Sequence, residues 1–143
     1  MRLFAHDVKV DALKRAPLFE GLSRKELGEL ARLTEDVDVA AGKVLCREGA
    51  SGQEFFVIME GEVEVTRRGK SIGTFGSGEF VGEIALIEDV PRTATVTAKT
   101  PLRFFVMTRQ AFLRLLDANP RVERKVLRAL AKRIVSTSND PSL

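Results

Sequence analysis

The sequence predicts a mainly β domain: an antiparallel β-roll of jelly-roll type with helices on both flanks. Three observations carry that expectation. Apolar residues recur at helical spacing near both ends of the chain, but with a period of two across residues 36–108. Glycine-bearing turns at Ala41-Gly42, Gly49-Ala50-Ser51-Gly52, Gly61, Arg68-Gly69-Lys70 and Gly76-Ser77-Gly78 divide that middle part into short strands, at intervals of about 8–12 residues that suit a sandwich or barrel. The 143 residues, 44% hydrophobic and 30% charged, suit one domain with a single core rather than a disordered chain.

Residues 1–35 form an N-terminal helical segment. Val8 to Arg15 is a short amphipathic stretch stopped by Pro17. Ser23 is placed to cap the next helix, and Glu26 three residues on completes a capping box. Leu27, Leu30, Ala31 and Leu33 then mark a buried stripe. Residues 36–108 form the roll. Val37, Val39 and Val44 belong to short alternating runs, Glu54–Glu60 and Glu62–Thr66 to a strand pair, and Ile72–Phe75 to a further strand. Thr93–Ala98 and Leu102–Met107 are the last two strands, with Pro101 ending the pairing between them. Residues 109–136 return to helices. Thr108 caps one holding Phe112, Leu115 and Leu116, and Asn119-Pro120 starts the next. In that last helix Val122, Val126, Leu127, Leu130 and Ile134 form an apolar stripe, and Arg121, Arg124, Lys125, Arg128, Lys132 and Arg133 fill much of the rest. Residues 137–143 read as a disordered tail.

Composition excludes several function classes. The formal charge is only +3, modest for a nucleic-acid binder. A single cysteine, Cys46, rules out an intramolecular disulfide and suits a reducing, cytoplasmic setting. Cys46 lies in an alternating run and reads as a small strand hydrophobe. No apolar run reaches the roughly 20 residues that a membrane helix needs, and Asp7 interrupts the N-terminus where a signal peptide is apolar. His6 is the only histidine, which excludes a multi-histidine metal centre and leaves no imidazole base in the body of the domain. It reads as a solvated terminal residue. No enzyme activity, cofactor or metal is expected.

The segment Phe80 to Val96 carries the chemistry. Gly82 permits close backbone approach or a positive φ. One helical turn over Glu83–Ile87 would present free backbone N–H groups, a ready anion site. Arg92 supplies a planar, permanently charged donor fork suited to phosphate. Glu83 can accept hydrogen bonds from sugar hydroxyls, and Ala85, Thr93 and Ala94 leave room for a ligand against backbone. These features point to an anionic, hydroxyl-bearing ligand. The same residues equally suit a salt bridge between Glu83 and Arg92 flanking a turn.

The run Phe80-Val81-Gly82-Glu83-Ile84-Ala85-Leu86, a short spacer, then Pro91-Arg92-Thr93-Ala94-Thr95-Val96 resembles the phosphate-binding cassette of cyclic-nucleotide-binding domains. Such domains occur in catabolite-activator proteins, kinase A regulatory subunits and cyclic-nucleotide-gated channels. Ala16-Pro17-Leu18-Phe19, Leu22-Ser23, Arg47-Glu48-Gly49 and Phe55 to Val65 are also similar to the family, so the likeness covers roughly residues 15–135. It implies that Arg92 pairs with the exocyclic phosphate oxygens and Glu83 with the ribose 2′-hydroxyl. Backbone amides of Gly82, Ile84, Ala85 and Ala94 would complete the cradle. It implies a cyclic-nucleotide sensor or regulatory domain.

The implied ligand is cAMP, with cGMP the alternative. A threonine after the arginine, here Thr93, resembles a cGMP-favouring choice in eukaryotic members, yet many bacterial and channel members carry a hydroxyl there and respond to cAMP. The family also caps the base with a moving C-terminal helix, which makes Leu127, Leu130, Arg133 and Ile134 lid candidates. No tyrosine or tryptophan is present to serve as an aromatic cap. The basic face of the last helix invites a nucleic-acid reading, but no helix-turn-helix pattern follows it, so direct nucleic-acid binding is not expected. A regulatory module cut from a larger channel or transcription regulator fits the same residues, with its effector unspecified. A cupin-type enzyme on a related roll would need clustered histidines. A ligand-free interaction domain is disfavoured by the presence of both Glu83 and Arg92.

Overall fold

Local signals place the helices. In a computed structural model the chain is described over residues 2–82 and 87–137, with side chains over residues 6–82 and 87–133. Helix α1 spans Arg2–Arg15, a 3-10 turn spans Pro17–Phe19, and α2 spans Arg24–Leu33. The capping box at α2 forms as its sequence predicts: the Glu26 amide donates to Ser23 Oγ at 3.1 Å and the Ser23 amide to Glu26 Oε1 at 2.9 Å. The Ser23 amide and hydroxyl hold the Glu26 carboxyl below its usual pKa. The other end of α2 is closed by Lys9 of α1, whose Nζ donates to the carbonyls of Ala31 at 3.0 Å and Thr34 at 2.7 Å. Helix α1 starts well before Val8, and His6 belongs to it. His6 is half-buried, and a Cβ added at Gly28 of α2 would meet its Nε2 at 3.7 Å. It is therefore a helix-packing residue rather than a solvated terminal one.

Among the described residues eight strands follow: β1 Thr34–Val39, β2 Val44–Cys46, β3 Glu54–Glu60, β4 Val63–Arg67, β5 Lys70–Phe75, β6 Phe80–Val81, β7 Thr95–Ala98 and β8 Leu102–Thr108. They form two four-stranded antiparallel sheets, ordered β1-β8-β3-β6 and β2-β7-β4-β5. The predicted β-roll is thus the observed one. The strand expected from Thr93 begins two residues later, at Thr95.

The apolar runs in β3 and β8 are continuous because both faces of these strands are buried. Phe55, Val57, Phe105 and Met107 face the helices, while Phe56, Ile58, Phe104 and Val106 face the interior of the roll. Two cores therefore share one sheet. Cys46 is buried in the roll interior, as its alternating run predicts. Across the outer pair, Arg103 of β8 forks onto Asp36 of β1 at 3.0 and 2.6 Å.

Helix α3, Arg109–Ala118, is capped by Thr108, whose Oγ1 accepts from the Ala111 amide at 3.2 Å. Its Phe112 stacks on Phe55 with centroids 4.1 Å apart and planes 18° apart. Both rings are fully buried, so truncating either to alanine would cost about 3–5 kcal/mol. Helix α4 spans Pro120–Thr137 and so includes the first residue expected in the tail. Ser138 to Leu143 lie outside the described residues. Val122 and Val126 anchor α4 in the helix-side core, with Ala129 and Leu130 packed partly against it. Leu127, expected in the same stripe, is instead 57% exposed.

Candidate functional site: the seat of Arg92

The chain leaves β6 through Gly82, whose φ is +98°. A Cβ there would lie 2.8 Å from Arg92 Nη1 and 2.9 Å from the Glu54 carbonyl oxygen. Both the conformation and the space require glycine. Arg92 arrives from the opposite direction, just ahead of β7, and the loop between β2 and β3 fixes its backbone. Its amide donates to Ala50 O at 2.8 Å, and its carbonyl accepts from the Gly49 amide at 2.8 Å.

The side chain is held as tightly as the backbone. Nη1 donates to Gly82 O at 3.0 Å and Nη2 to Glu54 O at 2.7 Å. Gly52 completes the seat, because a Cβ there would fall 1.8 Å from Nε and 2.3 Å from Cζ. Arg92 is only 6% exposed. Among the described residues it forms no salt bridge, and the Phe56 ring lies 5.9 Å from Cζ, at the far edge of cation–π range. Two carbonyl dipoles offset part of the desolvation of a guanidinium but supply no net negative charge. A buried cation in that state costs several kcal/mol unless an anion joins it. The arrangement is suited to receiving an anion.

Of the cassette residues picked out by sequence, the fold brings Gly82 and Arg92 into direct contact. Ala94 is buried in the roll interior and Thr93 is half-buried. The Thr93 carbonyl accepts from Arg67 Nε at 2.9 Å. Glu48 braces the same corner: its amide donates to Thr95 Oγ1 at 3.0 Å, and its Oε1 accepts from the Arg68 amide at 2.9 Å. Glu83, Ile84 and Ala85 lie outside the described residues, and with them most of the expected helical turn and the Glu83–Arg92 salt bridge. Gly52, the Glu54 carbonyl and Arg67 were not singled out by sequence. Gly52 reads there as one more turn glycine, and only the folded chain reveals a guanidinium in the space its missing side chain leaves.

The lid candidates divide. Arg133 of α4 lies over Phe75 and Phe80, with Cζ 4.3 and 4.8 Å from their centroids, and its Nη2 donates to the Phe80 carbonyl. Leu130 is half-buried against the helix-side core, and Leu127 projects outward. The Ile134 side chain is outside the described residues.

A helix-flanked roll thus seats an arginine, without a carboxylate partner among the described residues, behind a positive-φ glycine, an arrangement suited to an anionic ligand. The family model of the cyclic nucleotide-binding domain matches residues 36–119, and the chain belongs to that family. It is 39% identical over 106 residues to a cAMP-dependent protein kinase regulatory subunit of Yarrowia lipolytica, covering 73% of this chain and 28% of that one. It is 27% identical over 135 residues to a CRP-like cAMP-activated global transcriptional regulator of Mycobacterium tuberculosis, covering 91% of this chain and 60% of that one. The solved structure of cAMP-bound PfPKA-R (141-441) shares the fold with a TM-score of 0.85 at 24% identity, covering 94% of this chain and 46% of that one. The chain thus spans only part of the length of each relative. Among the described residues no helix is long and apolar enough to cross a membrane, and no group of side chains is arranged to hold a metal ion.

Proposed function

We propose that this domain is a sensor that binds one cyclic nucleotide, cAMP, without chemically transforming it. The observation that carries the proposal is the buried Arg92 guanidinium, fixed by carbonyls and lacking a carboxylate partner among the described residues. In this reading Arg92 meets the exocyclic phosphate oxygens with the donors that point away from Gly82 and Glu54. Glu83 accepts from the ribose 2′-hydroxyl, and the amides of Gly82, Ile84, Ala85 and Ala94 close the cradle. A cyclic phosphate suits the seat because it is a compact monoanion that leaves the 2′-hydroxyl free. A linear nucleotide brings a second charge into a desolvated pocket. The regulatory-subunit and CRP-like relatives, both named for cAMP, support the choice of nucleotide.

Occupancy is relayed through α4. Arg133 fastens that helix to Phe80, two residues ahead of Gly82, so a shift of the cassette reaches the helix through β6. Leu127, Leu130, Arg133 and Ile134 remain the lid candidates. The effector is a kinase-type or other partner, and the setting is cytoplasmic in the same proposal.

Calorimetric titration with cAMP, cGMP and 5′-AMP tests the reading. Saturable binding of one cAMP per chain, weaker binding of cGMP and little of 5′-AMP are expected. Absence of heat with cAMP at high micromolar concentration would sink the proposal, and a preference for cGMP would replace its ligand.

A further inference from the structure

Helix α4 carries more positive charge than the fold uses. Lys125 Nζ turns inward to the carbonyls of Pro17 at 2.7 Å and Glu20 at 3.2 Å. Arg133 clamps Phe75 and Phe80. Arg121 lies over Gly21, where a Cβ would meet its Nη1 at 2.9 Å. Arg124, Arg128 and Lys132 do none of this. All three are exposed and, among the described residues, form no ion pair. Spaced four apart, they form one stripe in which neighbours repel. Glu123, the acid in this helix, is neither three nor four residues from any of them.

Beside the stripe runs a groove of about 610 Å³ between α4, the 3-10 turn and the turn ahead of β6. Pro17, Leu18, Phe75 and Phe80 give it an apolar floor, and Arg128 and Lys132 line it on the α4 side. Of the two carboxylates that also line it, Glu79 is occupied by the Gly76 amide at 3.0 Å. The groove is of the size that admits a few side chains.

We propose that this face docks an acidic segment of a partner protein that carries an apolar anchor. The acidic groups would lie on Arg124, Arg128 and Lys132, relieving their mutual repulsion, and the anchor would fill the groove. Charge complementarity selects an acidic partner, and the apolar floor selects a peptide over a nucleic acid. A phosphate backbone would engage the stripe and leave the groove unfilled. The stripe shares no residue with the Arg92 seat, but the groove shares Phe80 and Arg133 with the relay proposed above, so the peptide is titrated without nucleotide to keep the two proposals distinguishable.

Fluorescence anisotropy with a labelled Asp-Glu-Leu-Phe-Glu-Asp-Glu peptide tests it. Two competitors are used: the same peptide with Ser-Ser in place of Leu-Phe, and a short DNA duplex. The Leu-Phe peptide should bind saturably and the Ser-Ser peptide about tenfold more weakly. The triple variant R124E/R128E/K132E should lose the binding. Ala129→Leu, which narrows the groove without changing charge, should weaken it, with the melting temperature recorded beside that of the wild type to separate lost docking from lost folding. Equal binding of the Ser-Ser peptide, or DNA displacing the probe at equal charge, would overturn the proposal in favour of a general polyanion surface. Self-association of the wild type that the triple variant abolishes would assign the face to a second copy. No binding of the Leu-Phe peptide would overturn the proposal outright.

Discussion

Arg92 and Arg133 bracket the same two-residue strand and serve opposite ends. Arg133 bonds the Phe80 carbonyl at the start of β6, and Arg92 bonds the Gly82 carbonyl just past its end. Arg133 spends its charge on two aromatic faces and is half-exposed at the edge of the roll. Arg92 is buried, its guanidinium is set by two carbonyl oxygens, and the Phe56 ring meets it only at 5.9 Å, the far edge of cation–π range. The difference teaches how one residue type becomes a fastener or a receptor. Where π faces and solvent share the charge, the arginine holds two elements together. Where backbone dipoles fix it out of solvent, with no carboxylate partner among the described residues, the charge is placed to meet an anionic ligand.

The comparison breaks most completely at Gly52. A valine there would occupy the space of the guanidinium, expelling Arg92 from its seat. The expected loss in cAMP affinity is about 100-fold, near 2.7 kcal/mol, read by calorimetry. In an Arg92→Ala background the same Gly52→Val change should cost little further affinity, because both act through one group. Additive losses would remove Gly52 from the seat. Arg92→Lys sharpens the point next. Lysine keeps the charge but cannot donate to Gly82 and Glu54 as a planar fork, so affinity should fall about tenfold. An affinity equal to the wild type would show that charge alone suffices.

Arg133→Ala probes the fastener. Losing contact with two rings and a carbonyl should destabilise the fold by about 1 kcal/mol, measured by urea denaturation, with cAMP affinity changed only a few-fold. A larger effect on affinity than on stability would make Arg133 part of the ligand site. Thr93→Ala is the smallest expected change. It should alter the ratio of cAMP to cGMP affinity by a few-fold at most if the hydroxyl only lines the approach to β7, and by tenfold or more if it reads the base. Competition between the two nucleotides decides it.

What was legible in the sequence was local. The Ser23–Glu26 box, the Thr108 cap and the Pro120 start are patterns that span a few residues, and each forms as expected. The strands with two buried faces, β3 and β8, stand out as continuous apolar runs. At the candidate site, Gly82 and Arg92 stood out by residue type and by the family resemblance, and the fold brings them into contact. The contacts between distant segments were not legible. Glu54 reaches Arg92 through its carbonyl, which any residue would supply, and no side-chain pattern can announce it. Leu127 fell into an apolar stripe by spacing, yet the stripe is wider than the face that the helix buries. The inward turn of Lys125 depends on the carbonyls of a 3-10 turn more than 100 positions earlier in the chain.

Titration of Arg92→Ala with cAMP, beside the wild type and with the melting temperature of each recorded, tests the central claim most directly. Removal of the guanidinium should lower cAMP affinity by at least about 100-fold in a variant that remains folded, which the melting temperature reports. Unchanged cAMP affinity in a folded variant would contradict the assignment of Arg92 as the phosphate receptor.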